Sequence, residues 1–293
     1  MAEKKPVMAV LGAGTMGSGI AIVCARAGFK TFLVDNQAAC LEKGADLIGR
    51  FFDKSVQKGK LSAEERNQIM HQRLVPTQNL ADLAECGLVI EAVFEDLEIK
   101  KKLLAQVNQI CPPETILASN TSTLSITSLA AGSGRPDRVI GMHFCLPAQV
   151  MKLVEVTRGL QTSEETYARA MELGKALGQK LVTTKDTPGF ILNYFVVAFN
   201  NACIRAYEQG LASVEDIDKA VKLGLGYPMG PFELLDYIGM DTHLRVSLAL
   251  YNQVQDERFW PPALVQRMVD AGYLGRKTGR GFHQYKEAGM FGA

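Results

Sequence analysis

The 293-residue sequence is short of several things, and each shortage removes a class of function. An excess of one charge is missing: 32 Lys and Arg stand against 31 Asp and Glu, a net charge of +1, with the cations spread along the chain. Such a balance leaves no electrostatic footprint for nucleic acid or for an anionic membrane. The six cysteines (Cys24, Cys40, Cys86, Cys111, Cys145, Cys203) never fall into CxxC or CxH spacing, and the four histidines are scattered. No metal site is expected, and the cysteines read as buried, reduced thiols. The opening MAEKKPVMAVLG shows no cleavage site and none of the Arg/Ser-rich amphipathic character of a transit peptide, so a cytoplasmic protein is expected. One apolar stretch, FILNYFVVAFNNACIRAYEQG, is about long enough to span a bilayer. Asn193, Asn200, Asn201 and Arg205 argue against that reading. There is no internal repeat and no low-complexity tract.

What is present is ordinary globular composition, 47% hydrophobic and 22% charged, in a chain long enough for two domains. The first ~185 residues alternate short apolar runs with helical patterns, the mark of an α/β domain with a mostly parallel sheet. The strand candidates are VMAVLG, KTFLVD, GLVIEAV, TILAS, RVIGMHF, LVEVT and KLVTT. Most are apolar runs of the kind that strands covered on both faces require. Between them, EIKKKLLAQVNQI sets Ile99, Leu103, Val107 and Ile110 on one helical face, and a longer helix over residues 38–58 is expected to stop at Gly59. At KDTPGF the pattern changes. After Pro188 and Gly189 helix follows helix, beginning with the long apolar stretch, which is expected at the centre of a helical domain. Ser213 is the expected cap of the next helix and Gly224 its stop. The expected division is an α/β domain over residues 1–186 and an all-α domain over 187–293.

The glycines carry the first chemical signal. Gly12-x-Gly14-x-x-Gly17 follows a strand, opens a helix, and precedes a second strand ending in Asp35, eighteen residues beyond Gly17. In that setting Gly12, Ala13, Gly14, Thr15, Met16 and Gly17 form a dinucleotide-binding turn of Rossmann type, where backbone amides at the helix start receive a pyrophosphate. Asp35 can accept hydrogen bonds from both ribose hydroxyls and would repel a 2′-phosphate, which favours NAD over NADP. A tight strand–helix turn with no ligand is the bland alternative. FAD shares the fingerprint, but no second flavin-type motif accompanies it.

A second signal lies in GMHFCLPAQVMKLVEV, where His143 and, twelve positions on, Glu155 stand inside apolar runs in which a charge is costly. Taking a hydride from an alcohol needs a base for the hydroxyl proton, and an imidazole held by a carboxylate suits that task. His143 ends one expected strand and Glu155 lies in the next, so antiparallel neighbours would bring them together. Two separately satisfied polar groups fit the spacing as well.

The sequence resembles the 3-hydroxyacyl-CoA dehydrogenases over nearly its whole length. The matching stretches are GAGTMGSGIA, LVIEAVFEDLEIKK, ILASNTSTLSIT, RPDRVIGMHF, VMKLVEV, TSEET, KDTPGFILN, YPMGPFELLDYIGMD and LGRKTGRGF. The resemblance implies a Rossmann-type domain followed by an all-α domain that forms a homodimer, and reversible NAD-dependent oxidation of an L-3-hydroxyacyl-CoA. It implies His143 as catalytic base and Glu155 as its orienting partner. Ser122 would contact substrate and nicotinamide, and Asn193 would lie near the reacting oxygen. Glu95, Lys100 and Lys277 would contact NAD, and Lys58 the CoA moiety. Capping or bridging roles for Ser122 and Asn193, and simple solvation of Lys58 and Lys100, are the bland alternatives.

The chain departs from the family pattern at three positions. HFCLP places Leu146 where an asparagine contacts the cofactor, Tyr194 replaces an arginine after Asn193, and Phe51 stands about where a serine contacts CoA. Losing one such hydrogen bond costs about 0.5–1.5 kcal/mol when water substitutes. Together the three imply a bulkier, more apolar surrounding and an unusual acyl group. Two further readings are a dehydrogenase of a non-thioester hydroxy acid and a cofactor-binding homologue with weakened catalysis.

Overall fold

In the computed structural model, which describes residues 5–286, VMAVL forms strand β1 (Val7–Leu11) with every residue buried. The side-chain period of two divides this run between two cores. Met8 and Val10 join Ile20, Val23, Leu41, Ile48 and Phe52 on one face, while Val7, Ala9 and Leu11 join Leu104, Val107, Ile126 and Leu129 on the other. Helices α1 (Thr15–Arg26), α2 (Ala38–Gln57) and α6 (Glu164–Ala176) supply the first core, and α4 (Leu97–Ile110) and α5 (Ile126–Ser133) the second. A short α3 (Ala63–Gln68) follows α2.

Seven more strands complete one sheet: β2 (Thr31–Val34), β3 (Leu74–Thr77), β4 (Cys86–Glu91), β5 (Ile116–Ser119), β6 (Val139–Phe144), β7 (Leu153–Arg158) and β8 (Lys180–Lys185). Their order is β3-β2-β1-β4-β5-β6-β7-β8. The first six in that order are parallel, β7 runs antiparallel to β6, and β8 is parallel to β7. The order reverses between β1 and β4, and sheets of this type hold ligands outside the strand ends at such a point.

All seven expected strands are present. β3 is an addition that its sequence, LVPT, hides: Pro76 cannot donate to a ladder on both sides, and the strand sits at the sheet edge, where proline is tolerated. α2 ends at Gln57 and Gly59 takes φ +64, as expected. The expected stripe of α4 is rotated. Lys100, Leu104 and Val107 are its buried residues, and Ile99 is 50% exposed. A buried lysine on that face has a buried partner, described below.

The chain divides into two compact units, Met1–Phe190 and Ile191–Ala293, four residues beyond the expected boundary. The KDTPGF segment stays with the first unit because Asp186 caps α5, accepting from Ser125 Oγ (2.9 Å), Ile126 N (2.8 Å) and Thr127 N (2.8 Å). Phe190 then packs into the second core.

The second unit is helical: α7 (Leu192–Glu208), α8 (Val214–Leu225), α9 (Pro231–Ile238), α10 (Met240–Val254) and α11 (Ala263–Asp270) surround Ile204, Phe232, Leu235, Met240 and Val265. α7 is not enclosed on all sides as expected. It buries Val197, Asn200, Asn201 and Ile204 but leaves Phe195 exposed. Ser213 caps α8, accepting from Asp216 N at 3.1 Å, but the helix runs through Gly224 and stops at Gly226, whose φ is +71. No helix among the described residues is long and apolar enough to cross a membrane.

Candidate active site

β1 ends at Leu11 and α1 begins at Thr15, so the glycine-rich turn lies at the sheet's switch point. Gly12 takes φ +100, and a Cβ there would approach the Ala92 carbonyl oxygen to 2.6 Å, so only glycine fits. A Cβ at Gly17 would strike the Gly12 carbonyl, which lets α1 pack onto the turn. Gly14 and Thr15 are exposed and the Cβ position of Gly14 is open, so this is the side from which a ligand can approach. α1 has no side-chain cap, and its first amides are available to an anion. Asp35 accepts from Ala13 N through Oδ2 (2.9 Å) and from Gln37 N through Oδ1 (3.0 Å), keeping further lone pairs on each oxygen. It therefore shapes the turn and leaves carboxylate lone pairs beside it. These features fit NAD.

His143 and Glu155 are direct register partners across the antiparallel β6–β7 pair. Directly opposed residues share a face, and Met142 and Phe144 on one strand, with Val154 and Val156 on the other, occupy the first core. That leaves His143 and Glu155 together on the second face, with Nδ1 and Oε2 2.7 Å apart. Glu155 is fully buried and His143 nearly so. A carboxylate can only accept, so Nδ1 donates to it, and in a neutral ring the lone pair is then on Nε2, the arrangement a general base needs. The Phe190 ring lies 5.8 Å from the imidazole, centroid to centroid. Asn120 Oδ1 accepts from Phe144 N at 2.8 Å, tying the loop after β5 to the end of β6. Neighbouring Cys145 is no nucleophile: burial first, and the Glu155 charge second, push its thiol up to about 11.

The loop after β5 is held from the other side by Glu95. Its Oε1 accepts from Thr121 Oγ1 (2.5 Å), Ser122 N (3.1 Å), Thr123 Oγ1 (3.1 Å) and Thr123 N (3.3 Å), and its Oε2 pairs with Lys100 Nζ at 3.1 Å. Burial works to raise the Glu95 carboxyl, but the Lys100 charge and these donors outweigh it and hold the group below the ordinary carboxylate range. Lys100 is 1% exposed and meets Glu91 Oε1 at 2.6 Å, so it is not a solvated surface lysine.

Comparison with known proteins fits this geometry. The model of the 3-hydroxyacyl-CoA dehydrogenase NAD-binding domain matches residues 7–187, and that of the family's C-terminal domain matches residues 189–285. The chain belongs to the 3-hydroxyacyl-CoA dehydrogenase family. A probable 3-hydroxybutyryl-CoA dehydrogenase of Deinococcus radiodurans is 43% identical over 94% of this chain and 99% of its own length. The crystal structure of FadB2 from M. tuberculosis superposes with a TM-score of 0.93 at 40% identity, covering 97% of this chain and 100% of that one. (S)-3-Hydroxybutyryl-CoA dehydrogenase PaaH1 from Ralstonia eutropha gives 0.91 at 42% identity, covering 96% and 99%. This 3-hydroxyacyl-CoA dehydrogenase is accordingly an NAD-dependent oxidoreductase.

The remaining residues singled out in the dehydrogenase's sequence are placed as follows. Ser122 is half-buried in the loop after β5, and Lys58 is the exposed C-cap of α2. Asn193, in the first turn of α7, and Lys277, in a 3-10 turn over Arg276–Thr278, belong to the second unit. Lys277 pairs with Asp241, whose carboxyl burial would raise but whose bond to Lys277 holds low. Of the three departures from the family pattern, Phe51 and Leu146 belong to the first unit and Tyr194 to the second. Tyr194 packs with Phe259 at 5.1 Å and accepts from an Arg258 guanidinium nitrogen at 2.9 Å. Phe51 packs on Phe52 at 5.4 Å against the first core. Leu146, in the loop after β6, is 38% exposed. Sequence reasoning missed Glu91, Ser119 and Asn120. An acid inside the apolar run LVIEAV was the available signal for the first.

Proposed function

We propose that this dehydrogenase oxidises the hydroxyl of an L-3-hydroxyacyl-CoA thioester to the ketone, reversibly, with His143 as general base. The observation that carries the reading is the buried 2.7 Å contact of His143 with Glu155 at the C-terminal end of β6. NAD, when bound, supplies the hydride acceptor. Nε2 of His143 takes the hydroxyl proton, and Glu155 holds the ring in the required tautomer and stabilises the imidazolium that results. A positioned base of this kind contributes roughly 10²–10⁴-fold in rate.

Ser122 and Asn193 bind the substrate around the reacting oxygen, and Lys58 meets the CoA moiety. Gly12 to Gly17, Asp35, Glu95 and Lys277 hold the cofactor. Lys100, with its protons facing acceptors on Glu91, Glu95 and Val93, serves the same site through Glu95. The helical unit forms a homodimer, for which exposed Phe195, Leu211, Leu223 and Leu225 offer apolar surface. The enzyme works in the cytoplasm.

Mixing the protein with NADH and acetoacetyl-CoA tests the reading. NADH absorbance decays if it holds, and a protein that binds NADH without turnover contradicts it. Leu146 favours one refinement, an acyl group bulkier than a short straight chain. Its exposure in the loop following His143 places an apolar side chain where the family pattern has an amide. Branched or aromatic thioesters are then turned over faster than acetoacetyl-CoA, and a clear preference for acetoacetyl-CoA rejects the refinement.

A further inference from the structure

Glu91 closes β4 with its carboxylate fully buried, and no role has yet been attached to it. Leu88 and Ile90 occupy the first core, so the strand's alternation turns Glu91 to the second face, the face of His143. Ser119, its register partner at the end of β5, turns the same way. Glu91 Oε1 accepts from Lys100 Nζ (2.6 Å) and from Val93 N (2.7 Å), and Oε2 accepts from Ser119 Oγ (2.7 Å).

Two routes leave this carboxylate and reach the same loop. Along one, Lys100 holds Glu95, which collects the four donors of Thr121, Ser122 and Thr123. Along the other, Ser119 Oγ accepts from Thr121 N at 3.2 Å. Lys100 has three protons and three acceptors, Glu91, Glu95 and the Val93 carbonyl, so nothing in it is left for slack. A buried ion pair is weak evidence for stability, because desolvation offsets its attraction, whereas a fully satisfied network specifies one arrangement.

We propose that Glu91 is a positioning residue of this dehydrogenase: through Lys100 and Ser119 it fixes the loop Thr121–Thr123 and so sets Ser122 for the reaction. The inference rests on the reading of Ser122 as a substrate- and nicotinamide-facing residue. Glu91→Gln keeps volume but cannot accept on both atoms, so one route is broken while the core stays filled.

The test is a double-mutant cycle of Glu91→Gln with Ser122→Ala on the full chain, read as kcat and KM with acetoacetyl-CoA and NADH. Glu91→Gln alone lowers kcat by on the order of tenfold to a hundredfold, the scale of a small misplacement at a reacting centre, with a smaller change in KM. In the Ser122→Ala background the same substitution costs no more than about twofold, because its route of action is already gone. A purely structural role would instead multiply the two losses, and that result overturns the proposal alone. A Ser122→Ala enzyme as fast as wild type overturns the assignment of Ser122 and this proposal with it. If Glu91→Gln does not fold, Ser119→Ala severs the second route by itself. The same cycle then decides, with non-additive losses supporting the proposal and additive ones rejecting it.

Discussion

His143 and Glu155 face one another across the antiparallel seam of an otherwise mostly parallel sheet, Nδ1 of the first 2.7 Å from Oε2 of the second. The seam matters because antiparallel strands can be joined by a short connection, whereas parallel neighbours need a long crossover. Reversing β7 lets two residues twelve positions apart meet on one face. The acid costs desolvation, and the imidazole offsets it.

Asp35 is, in the proposed function, the residue that selects the cofactor. It orients the glycine turn through Ala13 N and Gln37 N and sets a negative charge beside it. Asp35→Ala is expected to weaken NAD binding by roughly tenfold, about the worth of one hydrogen bond to a charged group. It is also expected to shrink the NAD-over-NADP preference. Fluorescence titration of both cofactors measures this, and an unchanged ratio would show that Asp35 does not select.

Asp186 stabilises the end of the first unit. Replacing it with alanine removes the acceptor of three donors at the start of α5. A loss of roughly 2–3 kcal/mol is expected from a charged cap with that many partners. Urea denaturation reads it, and a midpoint equal to wild type contradicts it.

His243 gives the second unit an acid sensitivity. It is buried, with Nε2 2.8 Å from Asn201 Oδ1, and burial draws its pKa down from 6.5 to about 4. Between those values the unfolded chain binds the proton and the folded one does not. Stability is therefore full above about 6.5 and falls as pH drops toward 4, by on the order of 3 kcal/mol. Urea midpoints at pH 7 and 5 are expected to separate further for wild type than for His243→Gln. Parallel profiles would exclude the histidine as the cause.

Much of this was legible in the sequence. Strands covered on both faces leave apolar runs, which marked most of the seven expected strands, though not the largely exposed β8, and a charge inside such a run marked His143 and Glu155. Asp35 was legible because the turn, the helix and the second strand all stand at fixed spacing from it. What escaped had physical reasons. β3 carries a proline that an edge position tolerates. Gly224 lies inside α8 with open space around it, so nothing there forced the helix to stop. The sequence makes Lys100 an NAD contact or a solvated lysine and gives Ile99 its place in the core. The helix is rotated because Glu91 lies beneath it, a partner nine residues away whose side chain only the sheet's alternation turns toward Lys100.

The most direct test of the central claim is kcat of His143→Gln with acetoacetyl-CoA and NADH, alongside NAD affinity and Tm. The base assignment predicts a fall of roughly 10²–10⁴-fold in kcat, with cofactor binding and thermal stability near wild type. A variant that turns over at the wild-type rate would contradict it.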